Sequence, residues 1–184
     1  GPTGGDGSEG DPFGTITECL NNASLTRADR ILIGPGLYSS LEETYPLVIP
    51  NGVEVLGAGK SLTTVNAVGG AAPAFTFVTL NQAAQLEHMT ITANPAQPLV
   101  VLSGSEVAFR ANSVLFSGGE TGVFAAGLPE LSRADMLIEN CTFSDQEDNG
   151  IFLELELAGT GGLEMRSNLF LGSDVALNGV DIRL

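Results

Sequence analysis

The feature that most constrains this chain is a recurrence. Phe116, Phe143 and Phe170 stand 27 residues apart, and each closes a similar segment. The first copy is Val107-Ala108-Phe109-Arg110 followed by Asn112 and Phe116. The second is Met136-Leu137-Ile138-Glu139 followed by Asn140 and Phe143. The third is Leu163-Glu164-Met165-Arg166 followed by Asn168 and Phe170. A weaker earlier copy surrounds Leu86, Met89 and Ile91. A second β-type run lies between copies: Leu99 to Leu102, Val123-Phe124, Ile151-Phe152-Leu153 and Val175-Ala176-Leu177. Two or three short strands in every 22 to 28 residues or so describe a coil of parallel strands, in which each repeat contacts only its neighbours. Asn51-Gly52, Asn149-Gly150 and Asn178-Gly179 fit hairpin turns as well as coil corners, so the recurrence decides between the two.

The start of the chain follows a different period. Ile16, Cys19, Leu20 and Ala23 fall at i, i+3, i+4 and i+7, one face of a short amphipathic helix over residues 15 to 23. No second helical period follows. Beyond about residue 30, short apolar runs alternate with Gly, Asn, Pro and Ser turns. The expected fold is all-β, a solenoid of about six coils with one N-terminal helix.

Three segments sharpen this. They are Pro12-Phe13-Gly14-Thr15-Ile16, the run Ala28-Asp29-Arg30-Ile31-Leu32-Ile33-Gly34-Pro35-Gly36-Leu37-Tyr38, and the run from Pro46 through Pro50-Asn51-Gly52-Val53-Glu54-Val55 to Gly59. Over about residues 10 to 66 the chain resembles the N-terminal end of the pectate-lyase-like right-handed parallel β-helices. The resemblance implies a single β-helix domain over residues 12–184, with the helix capping the first rung through Ile16, Cys19 and Leu20. It names no activity, because that fold carries lyases, esterases, hydrolases and non-catalytic surface proteins. In such a coil Phe116, Phe143 and Phe170 stack inside at about 4.8 Å per rung. Asn112, Asn140 and Asn168 then sit near one corner, where their amides can serve the turn backbone.

Charge narrows the partners. Seven basic residues stand against 22 acidic ones, a net charge of −15. Such a surface repels nucleic acid, and takes up an acidic polysaccharide only through a bridging cation such as Ca²⁺. No apolar run is long enough to span a membrane as a helix. The two cysteines, Cys19 and Cys141, form neither a disulfide framework nor a zinc site. Gly1-Pro2 reads as a protease scar, and residues 1–11 as a flexible Gly/Asp-rich lead-in. A leader or anchor is therefore expected to be missing from this sequence, and the expected location is extracellular or at the cell surface. At the other end, Val180-Asp181-Ile182-Arg183-Leu184 is still strand-like, so a homodimer through the C-terminal coil is an expectation.

Candidate chemistry is sparse. The resemblance implies lyases that use carboxylates holding Ca²⁺ with an arginine base, and esterases that use two Asp with an Arg; the two Asp are absent from the outward positions of the repeat strands. Arg110, Glu139 and Arg166 are expected at equivalent places in successive repeats. There they form either an outward charge ladder or a catalytic arginine beside a carboxylate. Asp145, Glu147 and Asp148 crowd one turn, as Ca²⁺ ligands or as a solvated acidic loop. Asp6, Glu9 and Asp11 are a weaker set of the same kind. Glu154 and Glu156 read as the wet face of a strand. His88, the single histidine, has no nucleophile at a recognisable spacing. Gly57-Ala58-Gly59-Lys60-Ser61 lacks the first glycine of a phosphate loop. With no Trp and only Tyr38 and Tyr45, exposed sugar platforms are few. The function expected is a non-catalytic extracellular or cell-surface module for spacing, adhesion or partner binding, toward carbohydrate or a surface protein. The alternative is a Ca²⁺-dependent lyase acting on acidic polysaccharide.

Overall fold

The structure, a computed structural model, describes residues 4–79, 83–104, 107–125, 134–154, 162–178 and 182–183. Of the sequence candidates, Glu156 lies outside the described residues, as do Gly1, Pro2, Val180, Asp181 and Leu184. The chain winds through three parallel sheets. Sheet 1 holds Arg30–Ile33, Glu54–Gly57, Ala84–Glu87, Val107–Asn112, Ala134–Glu139, Gly162–Arg166 and Ile182–Arg183. Sheet 2 holds Gly36–Ser39, Thr63–Asn66, Thr90–Ala93, Leu115–Gly118, Thr142–Ser144 and Leu169–Leu171. Sheet 3 holds Leu47–Ile49, Phe75–Thr79, Val100–Gly104, Thr121–Ala125, Asn149–Glu154 and Asp174–Asn178. Consecutive strands never pair; each pairs with its counterpart one coil away. This is a right-handed parallel β-helix, the hand that parallel crossovers adopt almost without exception.

Period-2 alternation sends one face of every strand inward. In sheet 1 the inner column runs Ile31, Val55, Leu86, Ala111, Ile138, Met165. In sheet 2 it runs Tyr38, Val65, Ile91, Phe116, Phe143, Phe170. The rings of Phe116 and Phe143 stack at 4.7 Å and those of Phe143 and Phe170 at 4.8 Å, within 7° and 5° of parallel. The rung spacing thus brings the rings into face contact. Gly122 and Gly150 leave room for them. A Cβ on Gly122 would lie 2.8 Å from the Phe143 ring and 2.4 Å from the Gly150 carbonyl oxygen.

Buried Gln146 ties these coils from a turn. Its side-chain nitrogen shares its two hydrogens among the carbonyls of Phe116 (3.1 Å), Gly118 (3.0 Å) and Ser144 (2.9 Å), and its oxygen accepts from Ser173.

The helix spans Ile16–Asn22, with Thr15 as N-cap accepting from the Glu18 amide (2.9 Å). Glu43, from the chain between sheets 2 and 3, is buried beneath its first turn. Its carboxylate accepts from the amides of Ile16 and Thr17 (both 2.7 Å) and from the Thr17 hydroxyl (2.6 Å). Ile16 is buried, and Cys19 and Leu20 pack against the core, as the capping role requires. Residues ahead of the helix fold back on themselves, Gly7 donating to the Asp11 carbonyl (3.0 Å) and Gly4 to the Glu18 carboxylate (2.6 Å).

Candidate functional site

Between sheets 1 and 2 four successive coils turn through one residue each in the left-handed region: His88 (φ 57°), Ser113 (56°), Asn140 (54°) and Ser167 (53°). That conformation costs an L-residue roughly 1–2 kcal/mol and suits short polar side chains best. The four form a column. His88 donates its amide to the Asn112 carbonyl (3.1 Å), Ser113 to that of Glu139 (3.1 Å) and Asn140 to that of Arg166 (3.0 Å). Beside it, on the outer face of sheet 1, runs a second column in register: Glu87, Asn112, Glu139, Arg166.

Side chains knit the two columns together. The Asn140 amide donates to the Asn112 side-chain oxygen across one rung (3.2 Å), and the Ser113 hydroxyl donates to the same oxygen (3.2 Å). Lys60 closes the corner from an earlier coil, its ammonium donating to the Asn140 carbonyl (2.8 Å). The Lys60 loop is held in place by Gly59, which donates to the His88 carbonyl (2.8 Å), and by the Thr90 hydroxyl, which donates to the Lys60 carbonyl (2.7 Å). His88 is 46% exposed at its side chain, and its Nε2 lies 3.5 Å from the Glu87 carboxylate. Beneath the surface, burial pushes the Cys141 thiol up to about 11, against the opposing pull of the Val114 backbone bond and the Lys60 charge. Asn168 turns inward, its oxygen accepting from the Cys141 amide (2.9 Å) and its nitrogen donating to the Ile138 carbonyl (2.8 Å). Of the three corner asparagines, two therefore meet each other and the third serves the backbone, as all three were expected to.

The structure corrects the placement of the charged trio. Arg110 stands opposite Gln85 and Leu137, whereas Glu139 stands opposite Asn112 and Arg166. Arg110 thus belongs to the neighbouring outer column. The cause is visible in spacing: six residues separate Arg110 from Phe116, but four separate Glu139 from Phe143 and Arg166 from Phe170. Counting back from the phenylalanines aligns Asn112 with Glu139 and Arg166. Arg166 turns its guanidinium to Glu164 on its own strand (Nε to Oε1, 2.7 Å).

Asp145, Glu147 and Asp148 do not converge. Asp145 takes a left-handed φ of 61°, and Glu147 and Asp148 donate their amides to the carbonyls of Gly119 and Glu120 (both 2.9 Å). Among the described residues no three His, Cys, Asp or Glu side chains meet where an ion would be held. Neither this turn nor Asp6, Glu9 and Asp11 gathers three such side chains around one point. Glu154 is exposed on sheet 3. Glu139 and Arg166 flank the corner; Lys60, His88 and Ser113 were not legible as its members.

Residues 1–183 match the model of a family described as "Protein of unknown function (DUF1565)". The chain belongs to this family. No curated protein sequence matches this DUF1565 chain. Solved structures similar to it include two of pectin methylesterase. One is a pectin methylesterase in complex with hexasaccharide VII, with 13% identity, 94% of this chain and 68% of that one covered, and a TM-score of 0.40. The other is a mutant pectin methylesterase in complex with hexasaccharide IV, with 13% identity, the same coverage and a TM-score of 0.39. Among the described residues no helix is long and apolar enough to cross a membrane.

Proposed function

We propose that this DUF1565 chain is a non-catalytic extracellular or cell-surface module that binds carbohydrate at the polar corner. The observation that supports it is the Asn112–Asn140 side-chain pair, with the Lys60 ammonium on the backbone carbonyl of Asn140. Amides, a hydroxyl, carboxylates and two cations on adjacent columns offer donors and acceptors one rung apart, suited to ring hydroxyls. The net charge of −15 favours neutral over acidic sugars. The test is calorimetric titration with a panel of neutral and acidic oligosaccharides. Wild type binds a neutral member, and Asn140→Gly, which keeps the left-handed backbone and removes the amide, weakens it about three- to tenfold. Equal binding by Asn140→Gly moves the site elsewhere. An unsaturated, ultraviolet-absorbing product from a uronic-acid polymer overturns the non-catalytic role.

A further inference from the structure

Among the described residues, sheet 1 has a free edge at Arg30–Ile33, which pairs with Glu54–Gly57 on one side only. Glu54 donates its amide to the Asp29 carbonyl (3.0 Å), and this bond sets the phase of the ladder. In a parallel strand alternate residues bond to opposite sides. Asp29, Ile31 and Ile33 therefore turn their backbone groups toward the next coil. Arg30 and Leu32 turn theirs outward, and among the described residues nothing bonds to them. The capping helix packs on Leu47–Ile49 of sheet 3.

Between the helix, the lead-in and Arg30–Ile33 lies a cleft of about 790 Å³. That volume is within the range of ligand-binding pockets. Phe13, Cys19 and Ile31 give it apolar walls. Asp6, Glu9 and Asp29 give it an acidic rim. Bonds from Ser8 hold the Asp6 carboxyl below its ordinary range, and bonds from Thr26 do the same for Asp29. Among the described residues the one basic group in the lining, Arg30, is engaged by Glu54, Nε to Oε2. A cleft with an open strand edge, apolar walls and an unbalanced negative rim complements one kind of partner.

We propose that the cleft takes an extended peptide with alternating apolar and basic residues, which adds a strand to sheet 1. The amides and carbonyls of Arg30 and Leu32 supply the main-chain bonds. Alternate side chains of the peptide enter the apolar walls, and the others meet the acidic rim. This surface is separate from the polar corner and does not rest on the carbohydrate proposal.

The probe is a fluorescein-labelled (Val-Lys)4 peptide followed by anisotropy, with (Val-Glu)4 as its charge-reversed counterpart. The Lys peptide binds, more weakly as salt rises, and the Glu peptide does not. Leu32→Pro removes the outward amide without breaking a ladder bond, because that amide faces the free edge. It weakens binding about three- to tenfold, while Leu32→Ala, which keeps the amide, changes it less. Glu9→Lys weakens the Lys peptide. An N-methylated peptide tests the same bonds on the unaltered protein, so the outcome does not depend on Leu32→Pro folding. Equal binding of the N-methylated and parent peptides, equal binding of the Lys and Glu peptides, or no binding of the Lys peptide overturns the proposal.

Discussion

Lys60 and Asn140 are eighty residues apart in the chain and 2.8 Å apart in space. The contact exists because the loop after Glu54–Gly57 leaves its own coil and climbs the corner, held by His88 and Thr90 on the way. Lys60 is the single lysine of the chain. Because the contact is solvent-accessible, Lys60→Met is expected to lower stability by less than about 1 kcal/mol in urea unfolding. The same variant is expected to weaken oligosaccharide binding in calorimetry. A large stability loss with unchanged binding would make the lysine a structural strap only.

Phe143 is the middle ring of three and loses two stacking partners when removed. Phe143→Ala is expected to destabilise the coil by about 3–5 kcal/mol, and Phe143→Leu by less, measured by denaturant titration. A value near zero for Phe143→Ala would show that the stack does not hold the C-terminal coils together.

At Gly122 the limit is space. A methyl group there meets the Gly150 carbonyl and the Phe143 ring inside contact distance. Gly122→Ala is expected to cost about 1–3 kcal/mol through overpacking, read as a lowered Tm. Gly10→Ala, which meets nothing within 4 Å, serves as the control.

Cys141 predicts an alkaline weakness. Its thiol ordinarily titrates near 9.0, and burial raises it to about 11 in the fold. Between those values the unfolded chain has released the proton and the folded one has not, so stability falls as pH rises. Below pH 9 the thiol contributes no pH dependence. Urea titrations of wild type and Cys141→Ala from pH 8 to 11 are expected to converge as the wild type loses its advantage. Parallel curves over that interval would contradict the assignment.

Glu43 anchors the cap. Its carboxylate is the acceptor for two helix amides and a hydroxyl. Glu43→Ala leaves those donors without it, and a loss of about 1–3 kcal/mol is expected. Hydrogen exchange at Ile16 and Thr17 distinguishes this from a general weakening: these amides should lose protection before those of sheet 3.

The coil was legible because its period is carried by the largest side chains. Phe116, Phe143 and Phe170 recur at a fixed interval, and they occupy one inner column of the structure. The helix was legible from its apolar spacing. The corner was harder to see. Aligning the repeats on the last residue of each four-residue strand segment shifted Arg110 by two positions, and Asn112, Asn140 and Asn168, which stand four, three and two residues before their rings, gave no common register; the buried rings cannot slip without crossing the sheet. The signal that would have found it is the count backward from each ring: three residues before Phe116, Phe143 and Phe170 stand Ser113, Asn140 and Ser167, all left-handed. Glu43 left no local trace, because its partners lie in a helix more than twenty residues upstream. Lys60 was visible only as the end of a failed phosphate loop.

The placement of the aromatic residues gives the molecule a built-in pair of reporters. Both tyrosines sit in the first coil, the Tyr45 hydroxyl donating to the Tyr38 carbonyl (2.8 Å), while the stacked phenylalanines lie at the other end. With no tryptophan to mask either signal, tyrosine emission follows the N-terminal coil alone. The fine structure of phenylalanine in near-ultraviolet dichroism is weighted toward the later coils, which hold Phe109, Phe116, Phe124, Phe143, Phe152 and Phe170. Unfolding that starts at one end can thus be told from unfolding that starts at the other, without a label.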